Sequence, residues 1–189
     1  MRASYALLLP LFSFGVAHTA SIKRQDQSPE TGTIVNPAVG TAIDPGASFA
    51  FNYSTNNWCH QGYSLFTVWL TPGPDAPTYA DVTSTNGNAG DSVGILEEGT
   101  YLYDFGEFVV NNFRRLADLA IEAGELPPTS TPPPAALTMP NLLELNGTSY
   151  SNATFYIAVV DTFQDCPPSV PIELGLTSHS IVYNATTST

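Results

Sequence analysis

Basic residues are scarce in this chain. Of its 189 residues five are basic (Arg2, Lys23, Arg24, Arg114 and Arg115), against seventeen Asp and Glu. So acidic a chain repels phosphate backbones and anionic lipid surfaces, which disfavours nucleic acid and acidic membranes as partners. Cysteine is scarce as well: there are two, Cys59 and Cys166, and they do not form C-x-x-C, so a redox or nucleophilic thiol has no sequence support. Gly90-Asp91-Ser92-Val93-Gly94 has the letters of a G-x-S-x-G nucleophile elbow, but it lies in a Gly/Asn-rich loop and no other context singles out a serine nucleophile. Asp104-Phe105-Gly106 matches a kinase triplet by chance, since none of its catalytic partners is present. Past the N-terminus no apolar run is long enough to span a bilayer. Ser180–Thr189 lacks the hydrophobic tail of a glycosylphosphatidylinositol signal, so no membrane insertion is expected.

What is present begins with targeting. Arg2, the apolar run Tyr5–Phe14 and the small residues Gly15-Val16-Ala17 read as a signal peptide over residues 1–17, cleaved after Ala17. Lys23-Arg24 then reads as a dibasic processing site that makes residues 18–24 a short pro-peptide. Removing both leaves Arg114 and Arg115 against all seventeen carboxylates, a net charge of about −15. Residues 25–33 are expected to be a flexible N-terminal segment, followed by one domain over residues 34–185.

In an oxidising compartment two cysteines imply one bridge, Cys59–Cys166. Four N-glycosylation sequons suit the same destination: Asn52, Asn146, Asn152 and Asn184. The periodicity is mostly of strand type. Ala47, Phe49, Phe51 and Tyr53 share one face, with Ser48, Ala50 and Asn52 opposite. Tyr63–Leu70 sets Phe66, Val68 and Leu70 against Thr67 and Trp69 and is stopped by Pro72-Gly73-Pro74. Leu142–Leu145, Asn146-Gly147 and Thr154–Val160 read as a hairpin whose second strand, apolar on both faces, is central. In the last strand region Ile172, Leu174 and Leu176 have one parity, Ile181 and Tyr183 the other, which predicts a bulge or bend near Thr177-Ser178. One helix is predicted from Asn112 to Gly124, and residues 126–140, with Pro132-Pro133-Pro134, form an extended connector.

Short strands, turn residues and a bridge from an early strand to a late one describe an antiparallel β-sandwich. Ile34–Gly40, Asp44-Pro45-Gly46 and the Phe49/Phe51/Tyr53 strand resemble the opening of the immunoglobulin-like domain of fungal cell-wall glycoproteins, over about twenty residues. More broadly the chain is similar to uncharacterised small secreted fungal glycoproteins. The resemblance implies an immunoglobulin-like sandwich, here with an inserted helix and Pro-rich connector at about 107–140, and an extracellular or wall-associated location. It carries no activity. Cys59, Trp69 and Cys166 echo the bridge-plus-tryptophan pattern, but Gln164 stands where that pattern has a tyrosine, and the Ser/Thr-rich tail of the wall glycoproteins is absent.

Chemistry is sparse. A retained N-terminal His18, with His60 or His179, has the donors for a copper brace; cleavage after Arg24 discards it. Asp104 with Glu107 and Asp161 with Asp165 are candidate acid pairs for glycoside hydrolysis. Asn86–Glu97 resembles a calcium loop but has Asp91 where glycine is required. Trp58, Tyr63, Tyr79, Tyr101 and Tyr103 are aromatics that can stack on sugars, and Trp58, Tyr63, Tyr101 and Tyr103 are taken as the binding candidates. The expectation is a non-enzymatic module for an extracellular or cell-wall glycan or protein surface, with no catalytic residue, cofactor or metal assigned. The alternative is a secreted enzyme, either copper-dependent or carboxylate-based.

Overall fold

The computed structural model describes residues 26–86, 92–112, 131–166 and 170–183. The chain is mainly β. Five short strands come first: β1 (Asp26–Gln27), β2 (Thr33–Asn36), β3 (Thr41–Ile43), β4 (Ser48–Ala50) and β5 (Asn52–Ser54). The long β6 (Tyr63–Pro72) follows, then β7 (Val82–Ser84), β8 (Gly94–Leu96), β9 (Tyr103–Asn111) and β10 (Ala136–Thr138). A five-residue helix, α1 (Leu142–Asn146), precedes the two longest strands, β11 (Ala153–Cys166) and β12 (Val170–Tyr183). Among the described residues no helix is long and apolar enough to cross a membrane.

One six-stranded sheet organises the molecule. Its path runs β1-β12-β11-β6-β9, with β3 also on the outer edge of β12. The four longest strands are antiparallel neighbours, while β1 and β3 lie parallel to opposite ends of β12. Both faces of this sheet are covered. On the first, Phe66, Val68 and Leu70 of β6, Phe155, Ile157 and Val159 of β11, and Ile181 and Tyr183 of β12 meet Ile34, Phe49, Tyr53 and Leu137 from the ribbons β2–β5 and β4–β10. On the second, Trp69, Ala158, Val160, Ile172 and Leu174 meet Val82 and Leu96 of the hairpin β7–β8.

That arrangement explains the change of parity along β12. No bulge is needed: pairing with β11 keeps one register from Ala153↔Tyr183 to Gln164↔Ile172. The strand buries Ile172 and Leu174 on the second face and Ile181 and Tyr183 on the first, because each end lies under a different covering layer. Phe49, Phe51 and Tyr53 are buried together as their alternation predicts. Their strand divides at Phe51, though, so that β4 pairs with β10 and β5 with β2.

The predicted hairpin at Asn146-Gly147 is corrected. Leu142–Asn146 is helical, with Leu142 buried and Leu143 and Leu145 exposed. Gly147 closes it in the left-handed region at φ 72°, donating its N–H to Leu143 O. Asn-Gly supplies positive φ equally well to a tight turn and to a helix end, so the dipeptide does not discriminate between them. The neighbours of β11 are β6 and β12, which makes it central. The stretch expected to be flexible is hydrogen-bonded into the sheet through β1 and Ser28. The predicted helix lies outside the described residues, as do Ala17, His18, Lys23, Arg24 and Asn184. Within the connector, Thr131 bridges Val109 of β9 before β10 begins.

Candidate functional site

The segment Asn56-Asn57-Trp58-Cys59-His60-Gln61-Gly62 joins β5 to β6 at one end of the main sheet. Two asparagines and a cysteine favour a fixed turn over a loose loop, because Asn side chains bond nearby backbone groups and accept left-handed geometry around them. The His60 N–H donates to Asn57 O (3.1 Å), and His60 stands at φ 56°. The Asn57 side chain closes the loop, accepting from Gln61 N–H (2.7 Å) and donating to Gln61 O (3.1 Å). Asn112, just after β9, donates to the same carbonyl (3.1 Å), and Ser64 donates to Asn112 Oδ1 (3.0 Å). Cys59 is bonded to Cys166, the last residue of β11, as expected from the cysteine count.

Trp58 therefore sits on a turn held from several directions. Its Nε1–H donates to Glu173 Oε2 (3.0 Å), yet the side chain remains 40% exposed. Tyr63, at the start of β6, is 37% exposed and donates its hydroxyl to Gln164 Oε1 (3.2 Å). Both aromatics are thus tethered at the disulfide end of the sheet. They flank its last residues rather than forming one stacked pair: Tyr63 bonds Gln164, while Trp58 bonds Glu173, which pairs with Phe163 and so lies on the face opposite Gln164. The other two candidates do not join them. Tyr101 packs on Trp69 (centroids 4.5 Å apart) and Tyr103 on Phe105 (5.1 Å), both half-buried.

Further along β11 lies a buried carboxylate. Asp161 is 2% exposed and accepts at Oδ2 from the Tyr53 hydroxyl (2.6 Å) and from Gly32 N–H (3.0 Å). Burial pushes its carboxyl up to about 6, and the two hydrogen bonds only partly oppose that. Burial likewise raises the Tyr53 phenol, helped by the negative charge of Asp161. Tyr79 is pushed up to about 12, by burial first and then by Asp26 and Glu173. Among the described residues there is no Lys or Arg, so no strong cation offsets any of these acids.

The other candidates separate. Asp104 and Glu107 are exposed on β9. A register shift lets them pair with Trp69 and Thr67, so they share a face, but they line neither of the two clefts described below. The side chain of Asp165 lies outside the described residues, and Asp161 faces a phenol and a backbone amide instead of a second acid. His60 is exposed and His179 bonds Pro37 O through Nδ1 (3.1 Å). The one cluster of three metal-capable side chains among the described residues is Cys59, Cys166 and Glu173, and its sulfurs are joined in the disulfide. Among the described residues, one open cleft of about 410 Å³ is bordered by Phe51, Tyr53 and Pro133-Pro134, and another of about 300 Å³ lies between Pro72–Pro74 and Tyr150. Neither contains an acid.

Glu173, Gly32 and Asn57 are the residues that sequence reasoning misses. A carboxylate inside an otherwise apolar strand is a signal that donors must converge on it. Compared with known proteins, this chain matches no family model, no curated protein and no solved structure.

Proposed function

We propose that the protein is a secreted, N-glycosylated, non-enzymatic binding module that presents the Trp58 turn to an extracellular or cell-wall glycan. The observation that carries this reading is the exposed indole of Trp58, fixed by the Asn57 turn, the Cys59–Cys166 bridge and the Glu173 hydrogen bond. A ring held in place before the ligand arrives loses little freedom on binding, and sugar faces stack on such rings. The turn that carries it is rich in amides, Asn56, Asn57 and Gln61, groups that suit hydroxyl-rich, uncharged ligands. The excess of acid disfavours anionic polysaccharides.

Other features support the secreted setting. A disulfide persists where the surroundings are oxidising. Asn52, Asn146 and Asn152 are all exposed, as glycan carriers must be. Asn146 and Asn152 precede the first residue of β11, whereas Trp58 adjoins its last, roughly 40 Å away at the usual strand rise. Glycans at those two sites would leave the Trp58 end clear. We read the fold within this proposal as an immunoglobulin-like sandwich, supported by the antiparallel β9-β6-β11-β12 core and by the bridge from the turn before β6 to the end of β11.

The test uses the two tryptophans, since Trp58 is exposed and Trp69 is 4% exposed. Titrating soluble neutral oligosaccharides should change the emission of Trp58, and Trp58→Ala should weaken binding by on the order of 30-fold, as truncating an anchoring aromatic does. Undiminished binding by Trp58→Ala, or no binding to any neutral glycan in a broad panel, overturns the proposal.

A further inference from the structure

Residues 26–32 cross the edge of the main sheet with no apolar side chain buried beneath them. Of the seven, Ser28 and Gly32 are buried, and the first apolar anchor after them is Ile34. Hydrogen bonds hold the segment instead: the two-residue β1, Ser28 N–H to Leu174 O (2.9 Å), Thr177 Oγ1 to Gly32 O (3.1 Å), and Asn56 Nδ2 to Glu30 Oε2 (3.3 Å). The bond from Gly32 N–H to Asp161 ends on a buried carboxyl group. Close approach makes that bond possible. A Cβ on Gly32 would lie 2.4 Å from the Tyr53 ring, and one on Gly175 would lie 2.8 Å from Thr31 Cγ2. Tyr53, by contrast, is anchored in the core against Phe66, with ring centroids 4.8 Å apart. Of the two groups that hold Asp161, Gly32 is the one carried by a segment without a buried apolar side chain of its own.

We propose that residues 26–32 form a strap operated by one proton on Asp161, closed while the carboxyl is protonated and released as it ionises. Both donors bind Oδ2, so Oδ1 can take the proton without disturbing them. Closed, the strap strips the carboxyl of water; open, it readmits water and returns the group to its ordinary range. Burial holds the closed form at about 6 against an ordinary 3.8. The opening equilibrium should then grow on the order of 100-fold between pH 4 and pH 8. What the strap uncovers is the backbone edge of β12 at Glu173–Gly175, a ready acceptor for another strand.

The groups facing Asp161 leave it the natural sensor. β5 contributes Tyr53, held neutral throughout this range, and the strap contributes Glu30, exposed and bonded to Asn56. On the same face β12 contributes Glu173, bonded to Trp58, and His179, bonded to Pro37 O, while β6 and β11 contribute only apolar neighbours there. His179→Gln therefore serves as the control for the imidazole on that face.

Amide hydrogen exchange on the full secreted chain from pH 4 to pH 8 tests this without reference to any ligand. The protection factors of Ser28 and Gly32, each referred to the intrinsic exchange rate at that pH and lying below that of Ile157 throughout, should fall on the order of 100-fold in the wild type and in His179→Gln, and stay level in Asp161→Asn. Should Asp161→Asn not fold, Tyr53→Phe keeps the carboxyl while removing a donor to its ionised form, and the fall should extend to higher pH. Level protection in the wild type overturns the proposal. So does a fall that survives Asp161→Asn, that His179→Gln abolishes, or that Tyr53→Phe leaves unmoved.

Discussion

A single carboxylate sets the sign of the stability profile. Carboxylates that gain partners on folding lose stability in acid, but Asp161 is raised by burial, and so the sign reverses. Its contribution is complete below the unfolded value of 3.8 and disappears as pH rises through about 6. Relative to pH 4, the folded state at pH 7.5 should therefore be less stable by on the order of 3 kcal/mol on this account. Urea unfolding at the two pH values measures the difference. In Asp161→Asn, whose amide oxygen can accept both existing bonds, the Asp161 part of the pH dependence should vanish, and the variant should exceed the wild type at pH 7.5. Parallel pH profiles for the two proteins would remove Asp161 as the cause. An acid at the end of Phe155–Val160 is visible in the sequence; its donors are not, because Tyr53 and Gly32 lie 108 and 129 residues away.

Elements carry the next lesson, through the way one strand serves two cores. Alternation over Phe49–Tyr53 and Phe66–Leu70 is legible because each run has one buried parity that meets one covering layer. The change of parity in β12 reads as a bend only if one assumes that a single face is covered. The hairpin β7–β8 that covers the second face gives little sequence signal, since each strand has three residues. Its seat depends on Gly94, whose N–H donates to Thr162 Oγ1 (2.8 Å) while its carbonyl accepts from Thr67 Oγ1 (2.8 Å). A Cβ there would lie 2.8 Å from both Leu174 Cδ2 and Val160 Cγ1. Gly94→Ala should cost about 1–3 kcal/mol by overpacking. Gly62→Ala, with nothing within 4 Å of the added carbon, should stay within about 0.5 kcal/mol. Equal unfolding midpoints for the two variants would show that the hairpin seat yields freely.

For the whole molecule, the covalent bridge and the layered sheet divide the work. The layers gather two cores along β6, β11 and β12, and their arrangement is not readable from a chain whose β4 and β5, one residue apart, belong to different ribbons. The bridge is readable, since two cysteines leave one pairing, and its site in the fold gives it a second task. Cys59–Cys166 closes 107 residues, worth about 4–5 kcal/mol in the chain-entropy model. It also pins the Trp58 turn to the end of β11, where Phe163 clusters with the two buried cysteines. Replacing both cysteines, as Cys59→Ala with Cys166→Ala, should lower unfolding stability by about that amount, offset by whatever structure the unfolded chain retains. The same double variant should free Trp58 before the sheet melts, because the Asn57 hydrogen bonds and the Glu173 contact then hold the turn alone. Time-resolved anisotropy reads this directly: in the native state the exposed indole should gain a fast component that Trp69 lacks. If the double variant unfolds with the wild-type midpoint and keeps a rigid Trp58, the bridge is dispensable and the turn is held by its hydrogen bonds. Lost stability together with a rigid Trp58 would confine the bridge to an effect on the unfolded chain, with no part in presenting the ring.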